Sequence, residues 1–171
     1  MKQLTTKKLV FAALFAALCC VMTMVVRIPT PGTGGYIHPG DAAVILCGIF
    51  LDPVTALFAA GIGSAMSDLL GGYFVYVPIT FVIKGLIAFL GSHLYRHAIA
   101  HGKSAYLAVV LCGVIDIVLV AGGYFLCELP LYGIGAAASI PANLIQGASG
   151  LVISSVLYPL LHRPIETAVH G

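Results

Sequence analysis

The chain has 171 residues, of which 60% are hydrophobic and 8% charged, with a mean hydropathy of +1.08 and a formal net charge of +2. That balance excludes a soluble globular domain and describes an integral membrane protein of one domain, residues 1–171. Its Lys and Arg are dispersed, so there is no basic patch for nucleic acid.

Residues 1–8, MKQLTTKK, form a basic tail ahead of the apolar run 9–26. The run is long, lacks a convincing small-x-small cleavage site and precedes further apolar segments, so it reads as a retained first transmembrane helix rather than a signal peptide. Ala12, Ala13, Ala16 and Ala17 form overlapping small-xxx-small pairs on it. Such pairs let a second backbone approach closely where lipid supplies no hydrophobic drive. Spacing alone leaves open whether that backbone belongs to this chain or to a partner.

Residues 27–40, RIPTPGTGGYIHPG, are too rich in Pro and Gly for a helix and predict an ordered or closing loop. Asp41 follows Gly40 at an expected N-cap, opening a run over 41–51 that is short for a bilayer needing roughly 20 helical residues. Asp52-Pro53 breaks it, and 54–70 makes the third helix. After the turn 71–78, helices are predicted over 79–95, 105–126 and 140–161, joined by the basic connection 96–104 and the Gly-rich stretch 127–139, with a polar tail over 162–171. The expected fold is therefore all-α with six transmembrane helices.

Lys2, Lys7, Lys8, Arg96, Lys103 and Arg163 fall on one side of that arrangement, and only Arg27 and Lys84 toward the other. The positive-inside rule then places both termini in the cytoplasm and the three Gly/Pro/Tyr-rich connections outside. Asp41, Tyr73, Tyr76, Lys84, Tyr124, Glu128, Asn143 and Gln146 lie in or near those connections. Polar groups buried in a membrane need partners, and ionisable ones there are functional candidates. Asn143 and Gln146 share a helix face, and Gly147 and Gly150 beside them suggest room for a ligand. A cavity with a cation, a few polar groups and aromatic rings suits a small, flat, polar molecule. The competing reading is a structural network, with Lys84 paired to Asp116 or Asp68.

Cys19, Cys20, Cys47, Cys112 and Cys127 show no CxxC spacing and read as small buried residues. His93, His97 and His101 recur every fourth residue, but Gly102 limits the helix and solvated interfacial histidines are the simpler reading, so no metal site is assigned. No GxSxG or HExxH is present and the acids are scattered, so an enzyme is not expected.

The Ala-rich first helix, GYIHPGDAAVIL, FLDPVTALFAAGIGSAMSDLLGGY, PITFVIKGL, GGYFLCE and IPANLIQGASG, in this order, resemble the substrate-binding S component of energy-coupling-factor (ECF) transporters for vitamins. The resemblance implies a multi-pass protein of the prokaryotic plasma membrane that binds a water-soluble vitamin or precursor externally, under the loop 30–40. It implies docking, through the face of Ala12, Ala13, Ala16 and Ala17, on an energising transmembrane subunit with two cytoplasmic ATPases. On that reading the chain binds no cofactor, and ATP is used by the partners. Lys84, Asn143 and Gln146, with Tyr36, His38, Tyr73, Tyr76, Asp116, Tyr124 and Glu128, match positions facing the family's substrate cavity. Few cations near the outer face disfavour multiply anionic cargo. Pyridoxine or hydroxymethylpyrimidine is the first expectation, and pantothenate, with its carboxylate on Lys84, the next. The alternative is a solitary small-molecule or metal-ion carrier working without an ATPase module.

Overall fold

A computed structural model describes residues 6–30 and 33–170, apart from the side chains of 166 and 168–170. Lys2, in the basic tail, and positions 31–32 of the expected loop lie outside the described residues. In chain order the elements are α1 (Thr6–Val25), β1 (Ile28–Pro29), β2 (Tyr36–Ile37), α2 (Asp41–Phe50), α3 (Pro53–Gly71), α4 (Tyr76–Ala100), α5 (Ala105–Tyr132), a 3₁₀ turn (Gly133–Ser139) and α6 (Ile140–His170).

Five of these helices have 19 residues or more, but α2 has ten. At 1.5 Å per residue α2 is about 15 Å long, half of a hydrocarbon core of about 30 Å, so it does not cross a bilayer by itself. It is instead the centre of the bundle. All ten of its residues are buried, and it packs against α4 and α6 with further contacts to α1, α3 and α5. A sequence apolar all round, DAAVILCGIF, is what a helix enclosed on every side requires. The outer faces of the longer helices carry Leu9, Val10, Leu14, Val82, Val118, Val152 and Leu160, all exposed, as a lipid-facing surface demands. The chain is a multi-pass membrane protein.

Local chemistry accounts for the breaks. Asp52 caps α3, accepting from Thr55 N at 3.2 Å, with Pro53 at the first helical position. Asp41 does not do the same for α2. Gly40 takes the N-cap place, and Asp41 is the first helical residue with its carboxylate turned sideways into the bundle. The loop 27–40 closes on itself as a two-residue hairpin, pairing Ile28 with Ile37 and Pro29 with Tyr36. Residues 96–100 continue α4, and α5 runs through Pro130 to Tyr132, where the missing N–H costs only one bond near the helix end. The segment 162–170, expected as a tail, continues α6.

Helices α1 and α3 meet at a glycine. A Cβ on Gly63 would lie 2.2 Å from the carbonyl oxygen of Ala16. Backbone cannot yield as a flexible side chain does, so Gly63→Ala is expected to push the two helices apart at a cost of about 1–3 kcal/mol. A lowered thermal midpoint in detergent would show it, and an unchanged midpoint would refute the close approach.

Candidate substrate cavity

Two layers of polar residues lie between the hairpin and the centre of the bundle. The inner one joins four elements. Lys84 Nζ, on α4, donates to Asp41 Oδ1, on α2, and both side chains are 0% exposed. Gln146, on α6, donates from Nε2 to Asp41 Oδ2 at 2.9 Å, while its Oε1 accepts from His38 N at 3.0 Å. Asp116, on α5, is also 0% exposed, with its carboxyl group against that of Asp41 and near Lys84. The lysine therefore sits in a structural network, as the competing reading had it, but with Asp41 as its partner rather than Asp116 or Asp68. Its ammonium also lies 5.6 Å from the centre of the Tyr124 ring.

The outer layer encloses a small cavity of about 20 Å³. Seven sequence candidates line it: Tyr36, His38, Tyr76, Tyr124, Glu128, Asn143 and Gln146. Lys84, Asp116 and Tyr73 do not. The first two lie behind it in the inner layer, and Tyr73 packs tilted against the Tyr36 ring with centroids 4.6 Å apart. Thr30, Gly35, Asp68 and Thr80 complete the lining. Thr30 and Gly35 were covered only as part of the loop, and nothing in sequence tied Thr80 to the site. The room expected at Gly147 and Gly150 is taken by packing. A Cβ on Gly147 would lie 2.7 Å from Ile117 Cα, and one on Gly150 2.7 Å from Asp41 Cβ.

Hydrogen bonds hold the hairpin down over this space. Tyr36 donates its hydroxyl to Asp68 Oδ1 at 2.6 Å, and the Arg27 guanidinium packs 4.8 Å over the Tyr36 ring while donating to Ser67 O at 2.8 Å. Gly40 N donates to His38 Nδ1 at 3.0 Å, so the imidazole carries its proton on Nε2. Burial pushes His38 down to about 3, which keeps it neutral. Deeper in, Tyr76 and Ser139 donate to the two oxygens of Glu128 at 2.9 and 2.6 Å, and Thr80 and Tyr124 share a hydrogen bond of 2.9 Å.

A cavity of about 20 Å³ holds roughly one water, whereas ligand sites run to about 300 Å³ or more, so the hairpin must lift for a ring to enter. Tyr36→Phe removes the hydroxyl that fastens it. A hydrogen bond to a carboxylate contributes about 1.5–3 kcal/mol, so ligand release from the variant is expected to be about ten times faster or more. Equal dissociation rates would mean that the Tyr36–Asp68 contact is no latch.

Residues 3–163 match the family model of the ECF-type riboflavin transporter, S component. The chain belongs to this family. This S component is 33% identical over 146 residues to an uncharacterized protein in a gap 3′ region of Pyrococcus woesei, covering 85% of this chain and 95% of the relative. It is 29% identical over 163 residues to the thiamine precursor transporter HmpT of Lactococcus lactis subsp. cremoris, covering 92% and 89%. Its fold matches the crystal structure of the S component for biotin from an ECF-type ABC transporter, with a TM-score of 0.54 and 20% identity over 92% of this chain and 95% of that one. The family and these relatives make the chain a transport subunit, not an enzyme. The ligands named for these relatives differ.

Far from the cavity, a second concavity of about 380 Å³ runs between α1 and α3. Ala12, Ala13 and Ala16 line it with Leu9, Val54, Thr55, Phe58, Ala59 and Ile62. Ala17 is exposed but does not line it. His93, His97 and His101 lie exposed along the end of α4, the last two rings tilted against each other with centroids 4.1 Å apart.

Proposed function

We propose that this S component is the substrate-specificity subunit of an ECF-type importer in the prokaryotic plasma membrane. It binds a small flat vitamin precursor on the outer side and hands it to an energising transmembrane subunit driven by two cytoplasmic ATPases. The observation that carries the reading is a polar, tyrosine-lined cavity under a latched hairpin, at the end of the bundle opposite Lys7, Lys8, Arg96 and Lys103. By the positive-inside rule that basic end is cytoplasmic, and both termini lie there in a single six-helix domain. The groove lined by Ala12, Ala13 and Ala16 supports docking, since its small side chains admit another helix closely. The chain itself carries no cofactor and leaves ATP to its partners.

A precursor of thiamine, the hydroxymethylpyrimidine type, is the first choice of cargo, supported by the relative named as a thiamine precursor transporter, and pyridoxine is the second. Pantothenate loses its anchor because Lys84 is already neutralised by Asp41 and does not reach the cavity. The test is the thermal midpoint of the purified chain against a panel of vitamins and precursors. A ligand at a hundred times its dissociation constant adds about 2.7 kcal/mol, which is a shift of roughly 5–10 °C at this size. A shift confined to one compound class is expected, and no shift with any member of the panel would contradict a dedicated binding subunit.

A further inference from the structure

Donors and acceptors around the cavity are unevenly spent. Tyr36, Tyr76 and Ser139 give their hydroxyl protons to Asp68 or Glu128, and Gln146 is engaged with Asp41 and the backbone of His38. Two carboxyl groups therefore face a lining that contains no Lys or Arg. Arg27 packs on the outer side of the Tyr36 ring, and Lys84 is held behind the cavity.

One acceptor is left over. Asp68 is 3% exposed and lines the cavity, its Oδ1 takes the Tyr36 hydroxyl, and its Oδ2 accepts no hydrogen bond of normal geometry among the described residues. Thr80, beside it, is within reach of the same carboxyl group. Its 2.9 Å hydrogen bond with Tyr124 can run in either direction, so among the described residues its hydroxyl is the one protein donor that a ligand has to displace or outcompete there. A bare carboxyl oxygen inside a membrane protein is costly, and a donor from a ligand would remove that cost.

We infer that Asp68 Oδ2 is the specificity acceptor of the cavity and receives an N–H on the edge of a basic, amino-substituted nitrogen heterocycle. The rings of Tyr36, Tyr76 and Tyr124 offer faces against which such a flat cation-prone ring packs. An oxo group at the same edge sets lone pair against lone pair, and a carboxylate meets like charge. Rings with an exocyclic amino donor at that edge are therefore preferred over their oxo counterparts, whose N–H lies on the neighbouring ring nitrogen, and over carboxylates.

This inference rests on the binding-subunit reading and deepens it. It is tested by calorimetric titration of the purified chain with an aminopyrimidine and with the same ring carrying oxo in place of amino. A charge-assisted hydrogen bond predicts an affinity at least about tenfold higher for the amino compound. In Asp68→Asn, which keeps the size of the side chain, that preference should fall to about twofold or less. An Asp68→Asn protein with undiminished preference would overturn the role of Asp68 while leaving the subunit reading intact. Wild-type protein that prefers the oxo compound, or that binds only other vitamins of the panel, would overturn the ligand class. Wild-type protein that binds nothing in the panel would overturn the subunit reading itself. If Asp68→Asn does not fold, the wild-type comparison of the two rings decides alone, and equal affinities sink the inference.

Discussion

Replacing Lys84 by methionine is expected to destabilise the protein severely, by about 3–5 kcal/mol, because it strands the Asp41 carboxylate at the centre of the bundle with only Gln146 as a donor. In a chain of this size that corresponds to a fall in thermal midpoint of roughly 10 °C or more, and to poor recovery from membranes. The double variant Lys84→Met with Asp41→Asn removes both charges together and should recover most of the loss, since a neutral pair carries no ionic desolvation cost. Cavity binding is lost in the single variant only to the extent that the fold is. A Lys84→Met protein that melts like wild type but no longer binds ligand would reverse this assignment and make Lys84 a direct ligand contact.

The second large effect concerns the groove between α1 and α3. Ala13 is exposed there and distant from the cavity. Ala13→Trp fills a concavity of about 380 Å³ with an indole, and a partner helix that needs small side chains can no longer seat. Uptake is expected to fall about tenfold or more while ligand affinity stays within about twofold, a separation that arises only if binding and energy coupling use different surfaces. Normal uptake with Ala13→Trp would remove the groove from the docking path. Loss of both uptake and binding would mean that the indole had disturbed the fold instead.

The sequence was informative where local chemistry decides structure. Pro and Gly density marked the loop over 27–40, Asp52-Pro53 marked the start of α3, and the i, i+3 spacing of Asn143 and Gln146 put both on the cavity side of α6. The brevity of the run after Asp41 was also visible, but not that α2 is the buried axis of the bundle, because a short apolar run reads alike in a core and in a membrane. What stayed hidden depends on packing between elements far apart in the chain. Asp41 and Lys84 are 43 positions apart and meet only through the register of α2 against α4. The charge of Lys84 is visible in the sequence, but its partner is not. Glycines 147 and 150 looked like space, yet they are the places where α5 and the start of α2 press against α6. Tyr73 is close to the cavity in sequence terms, and only the fold shows that it packs against the Tyr36 ring rather than lining the space itself.

On the proposed function, this S component binds its cargo but does not move it without an energising partner. The measurement that tests it most directly is uptake of the panel-identified ligand by cells expressing this chain, with and without an ECF energising module. Uptake is expected only when the module is present, with ligand binding by the isolated chain unaffected by its removal. Equal uptake in both strains would contradict the account and make the protein a solitary carrier.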